Sequence, residues 1–365
     1  MAGIAIKMRW MVFSKRLFFL IIVAWCCRGA VAFAQDVSGG YNKQGDSLDC
    51  DINFIQTFPN HITGRLYLSQ KYTDLEIEDE NRKTSIDYAP NTTLNLGIGV
   101  TVKSLSLNLA YGFAFLNPEE GRGKTRYLDL QSHVYTREWV VDLFGQFYSG
   151  LYLENTAQLA PNYSEPFYRR RDLNEIIIGG SAFYVVNNRE YSFRSALIQN
   201  ERQLKSAGSL LFGMEAYLGK VSGDSAIAPY FLAPEVFGPA RYAREISFAK
   251  IGPSAGYAYT FVYDKKYFLM LSLSLNLSYG VHSSSTPNDI KLTEETIDIG
   301  AFARFAIGYN DANWYLGLSS VNNNIAASTE DRSVFAQFGI GNVRLNFARR
   351  ILPGPKLKKI VSKIP

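Results

Sequence analysis

The sequence is poor in the residues that make covalent cross-links and metal sites. It has three cysteines, of which only Cys50 lies beyond residue 27, and three widely separated histidines, His61, His133 and His282. A lone cysteine excludes an intramolecular disulfide there, and these spacings disfavour a metal site made of Cys and His ligands. We therefore expect no metal ion and no cofactor, and we expect stability to come from strand pairing and packing.

Apolar runs long enough for a membrane-spanning helix are also missing. Residues 17–27 (LFFLIIVAWCC) form an apolar run of 11, whereas such a helix needs about 20. Basic residues at positions 7, 9, 15 and 16 precede this run, and Ala32-Phe33-Ala34 follows it. This order is typical of a secretory signal peptide, so we predict that residues 1–34 are removed before Gln35. Acylation of Cys26 or Cys27 is disfavoured because the bulky Trp25 precedes them.

The rest of the chain has no excess of charge. The predicted signal peptide holds five basic residues and no acidic one, which leaves 33 basic against 33 acidic residues. The basic isoelectric point thus reflects the export signal, and binding to nucleic acid is not indicated. One local exception is a basic tail, residues 348–365, with six Lys and Arg and no acid.

The pattern that dominates the chain has a period of two residues. From Leu269 to Val281 the odd positions read L, L, L, L, L, Y, V, and the even positions between them read M, S, S, N, S, G. Only a β-strand places two such sets on opposite faces. The same alternation occurs at 94–102 and 105–115. Less regular segments predict further strands at 62–73, 125–135, 139–153, 174–186, 191–199, 208–219, 247–263, 296–309, 314–322 and 333–347.

Three features favour a membrane barrel over a soluble one. The strand face opposite the apolar one carries Gly, Ser, Asn and Ala rather than the Lys and Glu of a soluble sheet's exterior. Short turns, as at 136–138 and 264–266, alternate with longer connections, as at 79–92, 154–172 and 283–294. Aromatic residues flank the short turns in phase with the apolar face, as a girdle at a membrane interface would; they are Trp139, Tyr191, Tyr263, Tyr267, Tyr309 and Trp314. We therefore predict an all-β fold, an antiparallel up-and-down transmembrane β-barrel.

The strand number follows less directly. The segments above make about 13 strands, and bacterial single-chain barrels have even numbers, so we expect about 12–14. The stretch 220–246, with three prolines, either hides one more strand or is a loop. In the second case one of the weaker segments is not a strand.

Charged residues of both signs are in phase with the polar face and are therefore predicted in the lumen. They are Arg65, Lys71, Arg194 and Arg304, with Asp129, Asp142, Glu215 and Asp298. Four of each sign favour an internal ion-pair network over the single-sign lining of a selective pore. Such a network either lines an ion or substrate path or fills a narrow barrel, and we favour the second.

Catalytic candidates are weak. Ser132 and His133 are adjacent in a strand and face opposite ways, so they cannot form a dyad. His282 and Ser284 share a face if their strand continues, which makes them the candidates for nucleophilic catalysis. A polar strand end running into a Ser-rich loop explains the same residues without any chemistry.

Several segments resemble a known family. They include RLYLSQKYT (65–73), GKTRYLDLQSHVY (123–135) and SFRSALIQNERQLKSAGSLLFGMEAYLG (192–219), and their order matches over about residues 50–347. The chain resembles domain of unknown function family 4421, found in Bacteroidetes. The resemblance implies an exported, barrel-like protein and brings no reaction, ligand or catalytic residue.

These observations predict one barrel, residues 61–347, in the cell outer membrane and in contact with its lipid. A periplasmic segment, residues 35–60, precedes it. We expect a non-enzymatic protein, either a narrow channel or a structural and interaction barrel. The alternatives are an enzyme that modifies lipid or lipopolysaccharide, and a surface adhesin or receptor that uses loops 154–172 and 283–294.

Overall fold

The structure is a computed structural model that describes residues 50–79, 81–102, 105–116, 121–233, 235–237, 241–285, 291–328 and 334–355. The predicted signal peptide, residues 35–49 and the last ten residues of the basic tail lie outside this part of the chain. In the described residues no helix has the length and apolar character needed to cross a membrane.

Nearly all the regular structure in this part of the chain is β-strand. The strands are β1 (Ile55–Thr57), β2 (Ile62–Asp79), β3 (Thr84–Ala89), β4 (Leu94–Val102), β5 (Leu105–Tyr111), β6 (Arg126–Tyr135), β7 (Trp139–Leu153), β8 (Tyr168–Val185), β9 (Glu201–Gln203), β10 (Ala207–Ser222), β11 (Glu245–Tyr263), β12 (Tyr267–Ser285), β13 (Lys291–Asn310), β14 (Trp314–Ser328) and β15 (Val334–Ile351). The helices are α1 (Thr156–Leu159), α2 (Phe193–Leu197) and a 3₁₀ turn at Ala114–Leu116.

The strands pair antiparallel around a closed ring. Its order is β2, β3, β7, β8, β10, β11, β12, β13, β14 and β15, and β15 returns to β2. The short strand β3 completes the ring because it pairs with the second half of β2 and with the end of β7. β4 and β5 extend from the first half of β2, and β6 pairs with β7. The predicted all-β antiparallel barrel is confirmed. Its closed ring has ten strands, fewer than the roughly 12–14 that we expected. Because β3 pairs with both β2 and β7, the strands β4, β5 and β6 are not part of the ring.

The alternation in β12 places apolar side chains outside and small polar ones inside. Leu271, Leu273, Leu275 and Leu277 are 45–55% exposed, whereas Ser272, Ser274, Asn276 and Ser278 are at most 6% exposed. A soluble barrel has the opposite arrangement, because it buries its apolar face. The apolar exterior is the one that a bilayer's hydrocarbon core requires.

One end of the barrel carries short connections, at 136–138, 264–266 and 311–313, and is called the short-turn end here. Exposed aromatic rings surround it. Tyr267 lies 5.5 Å from Tyr309 and 6.4 Å from Tyr263 between ring centroids, and Trp314 stacks on Phe347 at 5.3 Å. This is the predicted girdle, with one exception.

The exception is Tyr191, which is only 1% exposed and packs edge-on against Phe193 at 5.0 Å. Its segment, 191–199, was predicted as a strand, and that prediction is wrong. Ser192 caps the helix α2 by accepting a hydrogen bond from the Ser195 backbone N–H (3.2 Å), and the chain turns into the mouth of the barrel.

The connection from β8 to β10 closes the short-turn end. Within it β9 pairs antiparallel with β1 from the start of the described chain. Residues 50–61 and 186–206 together are called the mouth cap here. The short-turn end thus has one long connection among its short ones.

A longer connection, residues 223–244, runs over the opposite end, called the long-loop end. Among its described residues there is no strand, so the loop alternative for 220–246 is the correct one. Its own Ile227, Leu232 and Phe237 are buried, and Arg170 of β8 donates to the Ala226 carbonyl (2.7 Å).

Candidate functional site

The candidate site is the interior of the barrel, where most of the predicted lumen charges lie. The structure places seven of the eight on strands: Arg65 and Lys71 on β2, Asp129 on β6, Asp142 on β7, Glu215 on β10, and Asp298 and Arg304 on β13. The eighth, Arg194, lies on helix α2 in the mouth cap rather than on a strand.

Asp142 and Arg304 form an ion pair across the middle of the interior. Arg304 Nη2 lies 2.5 Å from Asp142 Oδ2, and both side chains have no exposed surface. β7 and β13 are five places apart in the ten-strand ring, so the pair joins opposite sides of the barrel. Asp142 also accepts a hydrogen bond from Tyr135 Oη (2.7 Å), and His133 Nδ1 lies 2.6 Å from it.

Aromatic rings complete this central layer. The Arg304 guanidinium lies over the Phe302 ring, 3.7 Å from its centroid, and 5.2 Å from that of Phe183. Phe302 in turn packs against Phe144 and Phe183, each at 6.2 Å. A buried cation is stabilised by a carboxylate and by ring faces, and these side chains form one packed layer between β7, β8 and β13.

Lys71 and Asp129 are also brought together. Lys71 Nζ donates to the Asp129 carbonyl (2.8 Å) and lies 3.4 Å from Asp129 Oδ1. The other carboxylate oxygen accepts from Gln146 Nε2 (2.8 Å) and Tyr148 Oη (2.6 Å). This cluster joins β2, β6 and β7 on the side where β3 completes the ring.

Asp298 has a partner that the sequence analysis missed. Lys250 of β11 lies 3.0 Å from Asp298 Oδ2, and Thr296 donates to the same oxygen (2.8 Å). Lys250 falls in a stretch of β11 where Gly252 and Pro253 interrupt the alternation, so its inward phase is hard to recognise.

The catalytic candidates are placed near this carboxylate. His282 Nε2 lies 3.3 Å from Asp298 Oδ2. In the described residues no contact joins His282 to Ser284, although both have the inward phase of β12. The imidazole nitrogen that would activate a nucleophile thus faces a carboxylate already held by Lys250.

The two remaining predicted charges bind neutral groups. Glu215 accepts hydrogen bonds from Ser254 (2.8 Å) and Tyr217 (3.1 Å). Arg65 donates to Thr101 on β4 and to the Ile198 carbonyl of the mouth cap (3.3 Å).

A second group of contacts fastens the mouth cap to the barrel wall. The carbonyl groups at the end of α2 have no partner within the helix and accept from wall side chains instead. Tyr315 donates to Ala196 (2.7 Å), Asn310 to Ser195 (3.0 Å), and Arg350 to Gln199 (2.7 Å). Sequence reasoning missed Arg350 because it was read as part of the basic tail.

Chemically, this interior balances charge and fills space. Asp129, Asp142 and Asp298 each contact a cation, and Glu215 accepts from two hydroxyl groups. Among the described residues no three or more His, Cys, Asp and Glu side chains are grouped as metal ligands would be.

Several solved structures are similar to this chain at low identity. The outer membrane protease OmpT from Escherichia coli has a TM-score of 0.34 and 9% identity, covering 81% of this chain and 98% of that one. The translocator domain of the autotransporter NalP from Neisseria meningitidis has a TM-score of 0.32 and 10% identity, covering 88% and 98%. The toluene transporter TodX from Pseudomonas putida has a TM-score of 0.26 and 8% identity, covering 81% and 92%. At these values none of the activities in those names transfers to this chain.

A comparison with curated proteins found no significant match to this sequence. A family profile, that of Domain of unknown function (DUF4421), matches residues 46–350, which span the described barrel and the mouth cap. The match covers most of the chain and agrees with the resemblance seen in its strand segments. The chain belongs to the DUF4421 family.

Proposed function

We propose that this protein is a closed outer-membrane barrel with a structural or interaction role rather than a catalytic one. The observation that carries the proposal is the Asp142–Arg304 pair, which crosses the barrel interior among Phe144, Phe183 and Phe302. A solute path through this layer would have to separate a buried ion pair, which costs several kcal/mol or more.

The exterior supports the outer-membrane location. Leucines cover the outward face of β12, and aromatic rings surround the short-turn end at the level where an amphipathic ring is favoured. In such barrels the short turns face the periplasm. We therefore assign the mouth cap to the periplasmic side and the long-loop end to the cell surface.

The long-loop end is the surface that we assign to interactions outside the cell. There Tyr168 packs against Phe231 (5.3 Å) and Tyr163 (5.8 Å), which ties the loop before β8 to the loop between β10 and β11. Because these loops are held together by their own side chains, they form an ordered surface suited to a partner molecule.

Bilayer recording tests the proposal against a channel. Refolded wild-type protein is compared with Asp142→Ala/Arg304→Ala, which removes the central pair, and with Lys220→Ala/Glu245→Ala, which removes an exposed pair (2.7 Å). We expect almost no conductance from the wild type and the exposed-pair variant, and larger or unstable currents from the central-pair variant. A large, charge-sensitive conductance of the wild type would replace the closed barrel with a channel.

A further inference from the structure

The mouth cap encloses a polar cavity that the proposed function does not use. It has a volume of about 40 Å³ and is lined by Thr63 and Thr101 of the wall, by Arg137 of the β6–β7 turn, and by Arg194, Asn200 and Glu201 of the cap. One water needs about 10–15 Å³ by the same measure, so there is room for about three oxygen atoms.

The lining has more positive than negative charge. Arg137 Nη2 (2.6 Å) and Arg194 Nη1 (3.3 Å) share one oxygen of Glu201, and Ser192 donates to the other (2.5 Å). One carboxylate thus serves two guanidinium groups. Arg65 adds a third guanidinium behind Thr101 and has no carboxylate contact among the described residues.

Several of these guanidinium nitrogens have no acceptor. Arg65 Nε, Arg137 Nη1 and Arg194 Nε are buried and make no hydrogen bond to the described residues. A buried, unsatisfied N–H of a cation is unfavourable, so two such groups on residues that line the cavity, with a third on Arg65 behind Thr101, indicate a missing acceptor.

Neighbouring His61 does not add to the positive charge. Partial burial and the positive charge of Arg350 lower the pKa of its imidazole, so the ring is neutral at pH 7. The excess charge at the cavity therefore comes from the arginines alone.

We propose that this cavity binds a phosphate group. Guanidinium forks match phosphate oxygens in pairs, and the room for about three oxygens accommodates the free oxygens that a phosphate group presents. The shared chemistry fits two sources, free inorganic phosphate and the phosphate of a lipid headgroup. The girdle of aromatic rings sets the cap at headgroup depth, which brings both within reach.

Calorimetric titration tests the proposal with the refolded full chain in zwitterionic detergent. Inorganic phosphate is the first ligand, and phosphatidylglycerol dissolved in micelles of the same phosphate-free detergent is the second. We expect one site per chain for at least one of them, and affinity at least ten-fold lower in Arg194→Gln. Arg171→Gln changes an exposed arginine at the long-loop end and should bind as the wild type does.

The outcomes separate the sources. Arg194-dependent binding of inorganic phosphate supports a soluble ligand, and such binding of phosphatidylglycerol alone supports a lipid. Arg194→Lys keeps the charge without the fork and covers the case in which Arg194→Gln does not fold; it should also bind more weakly. Binding of neither ligand, or equal binding by the wild type, Arg194→Gln and Arg194→Lys, would overturn the phosphate site.

Discussion

At the scale of single residues, each buried charge is stabilised by the side chains that contact it. Asp142 and Arg304 have no exposed surface, whereas Lys220 and Glu245 form a pair of similar length that is one-third to one-half exposed. Both are pairs of a carboxylate with a cation, Asp with Arg in the first and Glu with Lys in the second, and their burial differs greatly. They therefore offer a direct comparison of a buried and an exposed ion pair in one molecule.

Breaking the buried pair should destabilise the barrel strongly. Arg304→Ala or Asp142→Ala leaves one charge uncompensated in a low-dielectric interior, and we expect a loss of about 3–5 kcal/mol. Denaturant unfolding in detergent measures it. Lys220→Ala is the control and should cost less than about 1 kcal/mol. Equal, small losses in both would mean that water reaches the central layer.

The sequence predicts which face of its strand each of these residues lies on, but not which residue it pairs with. Alternation alone places Asp142, Asp298 and Arg304 on the inward face of their strands. It does not show that Asp298 pairs with Lys250 or that Arg304 reaches Asp142, because partners across the interior depend on ring order and strand tilt. Neither the order of strands in the ring nor their tilt can be predicted from the local sequence.

At the scale of elements, β12 shows two faces in different surroundings. Leu273 is more than half exposed on the outer face, and Ser274 is fully buried on the inner one. A side chain substituted for Leu273 contacts the surrounding lipid or detergent, whereas one substituted for Ser274 contacts packed side chains.

Substitutions on the two faces of β12 should therefore depend differently on the medium. Leu273→Arg should cost about 2–4 kcal/mol in a phospholipid bilayer, where the charge enters hydrocarbon, and less in detergent. Ser274→Arg should destabilise the barrel in both media because it overpacks the interior. Unfolding in vesicles and in micelles compares them. A loss for Leu273→Arg that is the same in both media would contradict a lipid-facing position.

The connection between β8 and β10 is the element that alternation misread. Tyr191 and Phe193 have the spacing of a strand, yet both are buried in the mouth cap, and Phe193 is the first residue of α2. The signal that favours a helix is local: Ser192 stands as the N-cap directly before the helix Phe193–Leu197. A two-residue apolar repeat over so short a segment does not decide between strand and helix.

At the scale of the whole molecule, the ring closes between strands far apart in sequence. β2 pairs with β15 along its entire length, so no open edge is left between the first and last strands of the ring. The fold class could be predicted because the period of two recurs along the chain. The number of strands in the ring could not be predicted, because β3 lies in a segment whose polar composition indicates a loop.

The mature protein should behave as an integral outer-membrane barrel. We expect it in the outer-membrane fraction, with migration on a gel that changes after heating because the paired strands resist detergent until heated. Cell fractionation and gels of unheated and heated samples check this. A periplasmic protein with a cleaved signal peptide is the natural control. Recovery as a soluble periplasmic monomer without detergent would exclude a membrane barrel.

The mouth cap also constrains the order of assembly. β1 belongs to the beginning of the described chain, but its partner β9 comes only after β8, and the helix before β9 is held by Asn310, Tyr315 and Arg350 of the last three strands. The cap cannot reach its final position until those strands exist and have joined the ring. We therefore expect β1, from the beginning of the described chain, to make its final contacts only after the last strands of the barrel have paired.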